Sequence, residues 1–160
     1  MKYLFILLSF VLFSCTASKK QKQDTANTSK VENTSNQLVL QKAESGSFKA
    51  ANAMQGSGTK YLFHLLADTD QEFSFDKIWV GDQCYYVEIT NFTYLSGTPF
   101  KRGDVVNLQA TKYTTPPPNV RLKGCVDAPP IDFPGDALIP YQSNGETYYI
   151  QVGEINKRGR

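Results

Sequence analysis

Through most of this chain apolar residues fall two apart, and that spacing decides what class of fold is open to it. In residues 83–90, Tyr85, Val87 and Ile89 share one face; in 104–111, Val106, Leu108 and Ala110 do; in 146–154, Tyr148, Ile150 and Val152 do. Successive side chains of an extended strand point to opposite faces, so each segment reads as a half-buried strand. Further strands are expected at 38–42, 48–50, 61–67, 73–80 and 137–141, all rich in aromatic and β-branched residues. In 73–80 the apolar phase slips from Phe73 and Phe75 to Ile78 and Val80, which a bulge near Asp76-Lys77 would explain.

Turn chemistry agrees with this pattern. Gly81-Asp82 separates Trp79-Val80 from Cys84-Tyr85, and Asn144-Gly145 separates Tyr141 from Tyr148. Both read as tight hairpins that need positive φ. Pro116, Pro117, Pro118, Pro129, Pro130 and Pro134 cannot donate ladder hydrogen bonds, so 114–134 is expected to be mostly a long connection across one end of the sheets. Strands without amphipathic helices bury their faces by packing sheet on sheet. The expected fold is therefore all-β, a small antiparallel β-sandwich, with an Ig-like arrangement as one form of it. No repeat of solenoid or propeller period is visible.

The N-terminus has a different character. Met1-Lys2 supplies a positive start, and residues 3–13 form an apolar run too short to span about 30 Å of hydrocarbon but the right size for a signal-peptide core. Leu12-Phe13-Ser14-Cys15 resembles the lipobox of bacterial lipoproteins. That resemblance implies diacylglycerol transfer to the Cys15 thiol, cleavage before Cys15 and acylation of the new amine, hence a membrane partner held through lipid. Two or three acyl chains anchor stably, because each buried CH₂ contributes about 0.8 kcal/mol.

Residues 16–36 are rich in Ser, Thr, Lys, Gln and Asn and read as a disordered tether. The division is thus 1–14 signal peptide, 15–36 lipidated cysteine and tether, and 37–160 the β-domain, which is enough for one core. In bacterial lipoproteins an Asp after the cysteine retains the protein at the inner membrane; Thr16 stands there, which implies the outer membrane. Lys19, Lys20 and Lys22 replace the acidic residues of surface-exported Bacteroidota lipoproteins, which implies the periplasmic side. Asp24-Thr25-Ala26 resembles the pattern O-glycosylated at Thr in that phylum. The likeness to short Bacteroidota lipoproteins is confined to signal, lipobox and β-rich layout.

With Cys15 assigned to lipid, Cys84 and Cys125 remain. In an oxidising periplasm they are expected to form a disulfide that pins the proline-rich connection to the central hairpin.

Several function classes find little support. A net charge of +2 gives no cationic field suited to nucleic acid. The basic tail of Lys157, Arg158 and Arg160 reads as solvated. The only histidine, His64, lies in an apolar strand with no nucleophile elbow anywhere in the chain, so it reads as structural. Zinc or copper would need more His or Cys than the chain can spare, and 68–72 (Asp-Thr-Asp-Gln-Glu) lacks the glycine and spacing of a calcium loop. No phosphate or dinucleotide motif occurs, and Arg102-Gly103-Asp104 reads as a turn feeding a strand. No catalytic residues, cofactor or metal are expected.

What stands out is aromatic. Tyr86 and Tyr149 alternate away from the faces assigned to the core, and Trp79 follows the phase slip, so these rings are the candidate ligand contacts. The expected function is a non-catalytic binding or structural module with a protein or glycan partner in the cell envelope. A carbohydrate-binding accessory protein and a small hydrolase with paired acids are the alternatives.

Overall fold

The structure, a computed structural model, describes residues 37–49, 56–91, 99–118 and 124–158. The signal segment, Cys15, the tether with Thr25, and Arg160 lie outside the described residues.

Eight strands follow one another: β1 (Leu38–Lys49), β2 (Ser57–Ala67), β3 (Lys77–Val80), β4 (Gln83–Ile89), β5 (Val105–Thr115), β6 (Ala137–Ser143), β7 (Glu146–Val152) and β8 (Asn156–Lys157). No helix occurs among the described residues. The strands form one sheet in the order β7-β6-β3-β4-β5-β2-β1-β8. All neighbours are antiparallel except β1 and β8, so the sheet is mixed rather than purely antiparallel.

The middle of this sheet explains how one sheet becomes two layers. The first part of β4 pairs with β3, from Gln83↔Val80 to Tyr86↔Lys77, whereas its last three residues pair with β5, from Val87↔Ala110 to Ile89↔Leu108. A strand that changes partner along its length turns a corner. The two arms thereby close on one core: Ala43, Phe63, Leu65, Val106, Leu108 and Ala110 from one, Ile78, Ala137, Ile139, Tyr141 and Val152 from the other. Phe73 bridges them, with its ring centroid 5.8 Å from those of both Phe100 and Tyr141. The fold is all-β and sandwich-like, as the period-two pattern predicts.

Differences from the sequence expectation have local causes. The segments expected at 38–42 and 48–50 are one strand, β1, in which the register slips between Leu40 and Lys42. The extra residue, Gln41, shifts the phase so that Leu38 and Leu40 before it and Ala43 after it all reach the core. In 73–80 only Lys77–Val80 is strand. Between the Ser74↔Gln142 bridge and the Trp79↔Leu138 pair, five steps of one chain run against four of the other. That is the bulge the phase slip calls for, and it brings both Phe73 and Ile78 inward. Pro140, with no N–H to give, faces the place where the ladder opens.

Both hairpins form as expected, with φ of 54° at Gly81, 52° at Asn144 and 80° at Gly145. Ile89, expected inside, is 42% exposed because it is the final rung of the β4–β5 ladder.

A candidate ligand-binding groove

The groove is built on the face of β3, β4 and β6 that points away from the core. Trp79 pairs with Cys84 on one side and Leu138 on the other, so these three side chains project together. Trp79 (3% exposed) and Leu138 (0%) are nevertheless buried, although neither belongs to the central core. Residues 124–130 of the proline-rich connection lie against Trp79. The connection is fastened by the Cys84–Cys125 disulfide, with Cα atoms 5.3 Å apart. A second tie is the Trp79 indole N–H, which donates to the Asp127 carbonyl at 2.9 Å. A third is the Lys77 ammonium, 2.5 Å from the Asp127 carboxylate. The Asp127 carboxylate raises the Lys77 pKa above its ordinary value, against the opposing effect of desolvation, so Lys77 stays charged. The described residues from 124 onward of the connection thus lie over an outer sheet face rather than only across an end.

Beside it the opened β3–β6 ladder leaves a groove of about 380 Å3, walled by Phe75, Lys77 and Trp79, floored by Pro140 and Gln142, and flanked by Thr147, Tyr149 and Pro130. Cross-strand pairing places Tyr149 opposite Pro140 and Thr147 opposite Gln142, so all four share this face. Ser74 and Gln142 also line an adjoining polar hollow of about 260 Å3 with Glu72, Ser143 and Asn144. The two hollows share Ser74 and Gln142 in their linings and together make a channel-like surface, apolar at the Trp79 end and rich in amide, hydroxyl and carboxylate groups at the Asn144 end.

Of the three aromatics singled out from sequence, Trp79 and Tyr149 meet in this groove. Trp79 is not the exposed ring that its position after the phase slip suggested: the connection covers it, and it serves as wall. Tyr149 is half-buried with part of its ring open. Tyr86, 43% exposed, sits cross-strand from Lys77 and outside the groove lining. Sequence reasoning missed Phe75, Pro140 and Gln142, whose roles follow from the bulge and from pairing between distant strands.

His64 is placed elsewhere, on β2. Its Nδ1 lies 2.7 Å from Asn107 Oδ1 on β5, and its Nε2 lies 4.0 Å from Glu44 Oε2 on β1. Glu44, 7% exposed, accepts hydrogen bonds from Arg158 Nε (3.0 Å) and Nη2 (2.7 Å), with Lys42 Nζ 2.8 Å from its other oxygen. The bonds from Arg158 and then Lys42 hold the Glu44 carboxyl down to about 2, outweighing desolvation. Arg158 is therefore not part of a solvated tail. It fastens the chain end across β1, where β8 pairs with Glu44 and Ser45.

The acidic turn and the Arg102-Gly103-Asp104 turn serve each other. Arg102 Nη2 lies 2.9 Å from Asp68 Oδ1, and the Arg102 backbone N–H donates to Asp70 Oδ1 at 2.6 Å. Tyr85 is pushed up to about 12 by burial and then by neighbouring Tyr61, and its hydroxyl, protonated at neutrality, donates to Gln83 Oε1. Among the described residues no group of three His, Cys, Asp or Glu side chains is placed to hold a metal ion. No family model, curated protein or solved structure matches this chain, so its function is read from its own geometry.

Proposed function

We propose that this protein is a bacterial envelope lipoprotein, anchored through acylated Cys15 at the outer membrane and facing the periplasm, whose β-domain is a non-catalytic binding module. The observation that carries the binding half is the channel between the proline-rich connection and the β6–β7 hairpin, where Phe75, Trp79, Pro130, Pro140 and Tyr149 gather without belonging to the main core cluster, Phe75 only packing on its edge. Concave, mostly apolar sites edged by a few polar groups are the usual form of small-ligand sites, at volumes of about 300 to 1,000 Å3. Two groups support binding over turnover: Lys77 is committed to Asp127, and His64 lies on β2, with β4 and β5 between it and β3, so neither is offered to a ligand as a base. The anchor half rests on the lipobox resemblance and on the long polar run that follows it.

The two halves are tested separately. Mass spectrometry of the protein from its native host is expected to find a chain beginning at Cys15 and carrying acyl mass, and an intact, unacylated N-terminus refutes the anchor. For binding, the wild-type chain in detergent is expected to be retained on lipid-free cell-wall polysaccharide, where the acyl chains find no bilayer, and its Tyr149→Ala variant released. Equal retention removes the groove as the site.

A further inference from the structure

The charge and hydrogen-bonding character of the channel narrow its ligand. Among the described residues lining it, Lys77 is the only cation, and Asp127 holds it. Asp76, with a side chain 72% exposed, and Glu72, also exposed, present carboxylates to the same channel. An anionic ligand would meet repulsion here with no cation free to offset it.

The polar groups are of one kind. Ser74, Gln142, Thr147 and Asn144 are exposed hydroxyls and amides, each able both to donate and to accept. Carboxylates add acceptors that bind hydroxyl donors strongly. At the other end stand a half-open tyrosine ring and two prolines. A ligand matched to this carries many hydroxyls along its edges and an apolar C–H face on its rings. At the aromatic end an extended peptide finds fewer donors for its carbonyls, because the indole N–H of Trp79 is spent on Asp127 and Pro130 and Pro140 have none to offer.

Resting on the binding-module reading above, we infer that the channel takes a linear, uncharged oligosaccharide, with one sugar ring stacked on Tyr149 and the next hydrogen-bonded by Gln142, Thr147 and Ser74. Glu72 and Asn144 hold the far end, and the carboxylates exclude acidic sugars. Trp79 and Pro130 form the rigid wall that fixes the Tyr149 side of the site, and the Cys84–Cys125 bridge holds that wall to β4.

Isothermal titration of the full chain in a detergent without a sugar headgroup tests this, with cellohexaose, maltohexaose and chitohexaose as neutral probes, hexagalacturonate as the anionic probe and decaproline as the peptide probe. At least one neutral hexasaccharide is expected to bind, and hexagalacturonate at least about tenfold more weakly. Tyr149→Ala is expected to weaken the neutral ligand by about tenfold or more, whereas Tyr149→Phe, which keeps the ring, restores affinity to within about threefold. Gln142→Ala, at an exposed position where folding is not at stake, is expected to weaken it as well.

Silence from all three neutral probes overturns the inference, as does hexagalacturonate binding as tightly as they do. Decaproline bound in preference, and lost in Tyr149→Ala, would replace the sugar with a peptide while leaving the binding groove intact. Retention on lipid-free cell-wall polysaccharide that ignores Tyr149→Ala would remove the groove reading itself.

Discussion

Replacing both bridging cysteines, as Cys84→Ala with Cys125→Ala, separates what the disulfide does to the folded chain from what it does to the unfolded one. The bridge joins residues 41 apart. In the chain-entropy model a loop of that length removes about 13 cal/mol/K from the unfolded ensemble, or about 4 kcal/mol at 25 °C. For a domain near 120 residues that corresponds to a fall in Tm of roughly 15 °C. In the folded state the connection keeps its other ties, from the Trp79 indole and Lys77 ammonium to Asp127.

Trp79 is the chain's only tryptophan and is nearly inaccessible, so its fluorescence reports on the cover directly. The double variant is expected to show the native, blue-shifted emission before unfolding, together with a midpoint lowered by the amount above in heat or urea. An unchanged midpoint and slope refute the entropic argument. Red-shifted emission under native conditions refutes it differently, since the bridge would then be holding the connection in place rather than restricting the unfolded chain.

Glu44 sets an acid limit: its carboxyl is lowered from 4.5 to about 2 in the fold, so the stability it contributes is complete above about pH 4.5 and disappears as pH falls toward 2. Urea midpoints across that window should decline in the wild type, while Glu44→Gln should be less stable at pH 7 and lack this part of the decline; parallel profiles would contradict the assignment. Gly58→Ala is expected to destabilise by about 1 to 3 kcal/mol, since its new Cβ would stand 2.1 Å from the Lys112 carbonyl oxygen, a backbone atom of the paired strand. Gly145→Ala meets nothing within 4 Å, and its cost should be only the conformational one of holding φ near 80°, about 1 to 2 kcal/mol by the same denaturation assay. A Gly145→Ala loss above about 3 kcal/mol would show that open space around a glycine is a poor guide here.

The site was partly legible. Tyr149 could be singled out because alternation on a strand is visible within seven residues, and Cys84 and Cys125 because a pair is left once Cys15 is set aside. Trp79 stands out in the sequence by following the phase slip, but its burial depends on Asp127, 48 residues further along the chain. Glu44 gave no local sign of burial. A carboxylate in an alternating strand reads as solvent-facing, and its pairing with Arg158, 114 residues away, together with Lys42 makes its burial tolerable. β8 was equally invisible, because a two-residue strand has no period.

From its own order of residues this chain settles its all-β class, the positions of two tight hairpins and the need for a bulge before Val80. These are properties of a few consecutive residues: side chains alternate, glycine and asparagine tolerate positive φ, and proline withholds a donor. Which strands lie side by side, that the sheet curls about β4, that Leu38, Leu40 and Ala43 all face inward, and that a channel opens beside Tyr149 were decided only by tertiary structure. Each depends on pairing and burial between segments distant in sequence, where the free energy of closing the core outweighs what any one segment prefers alone.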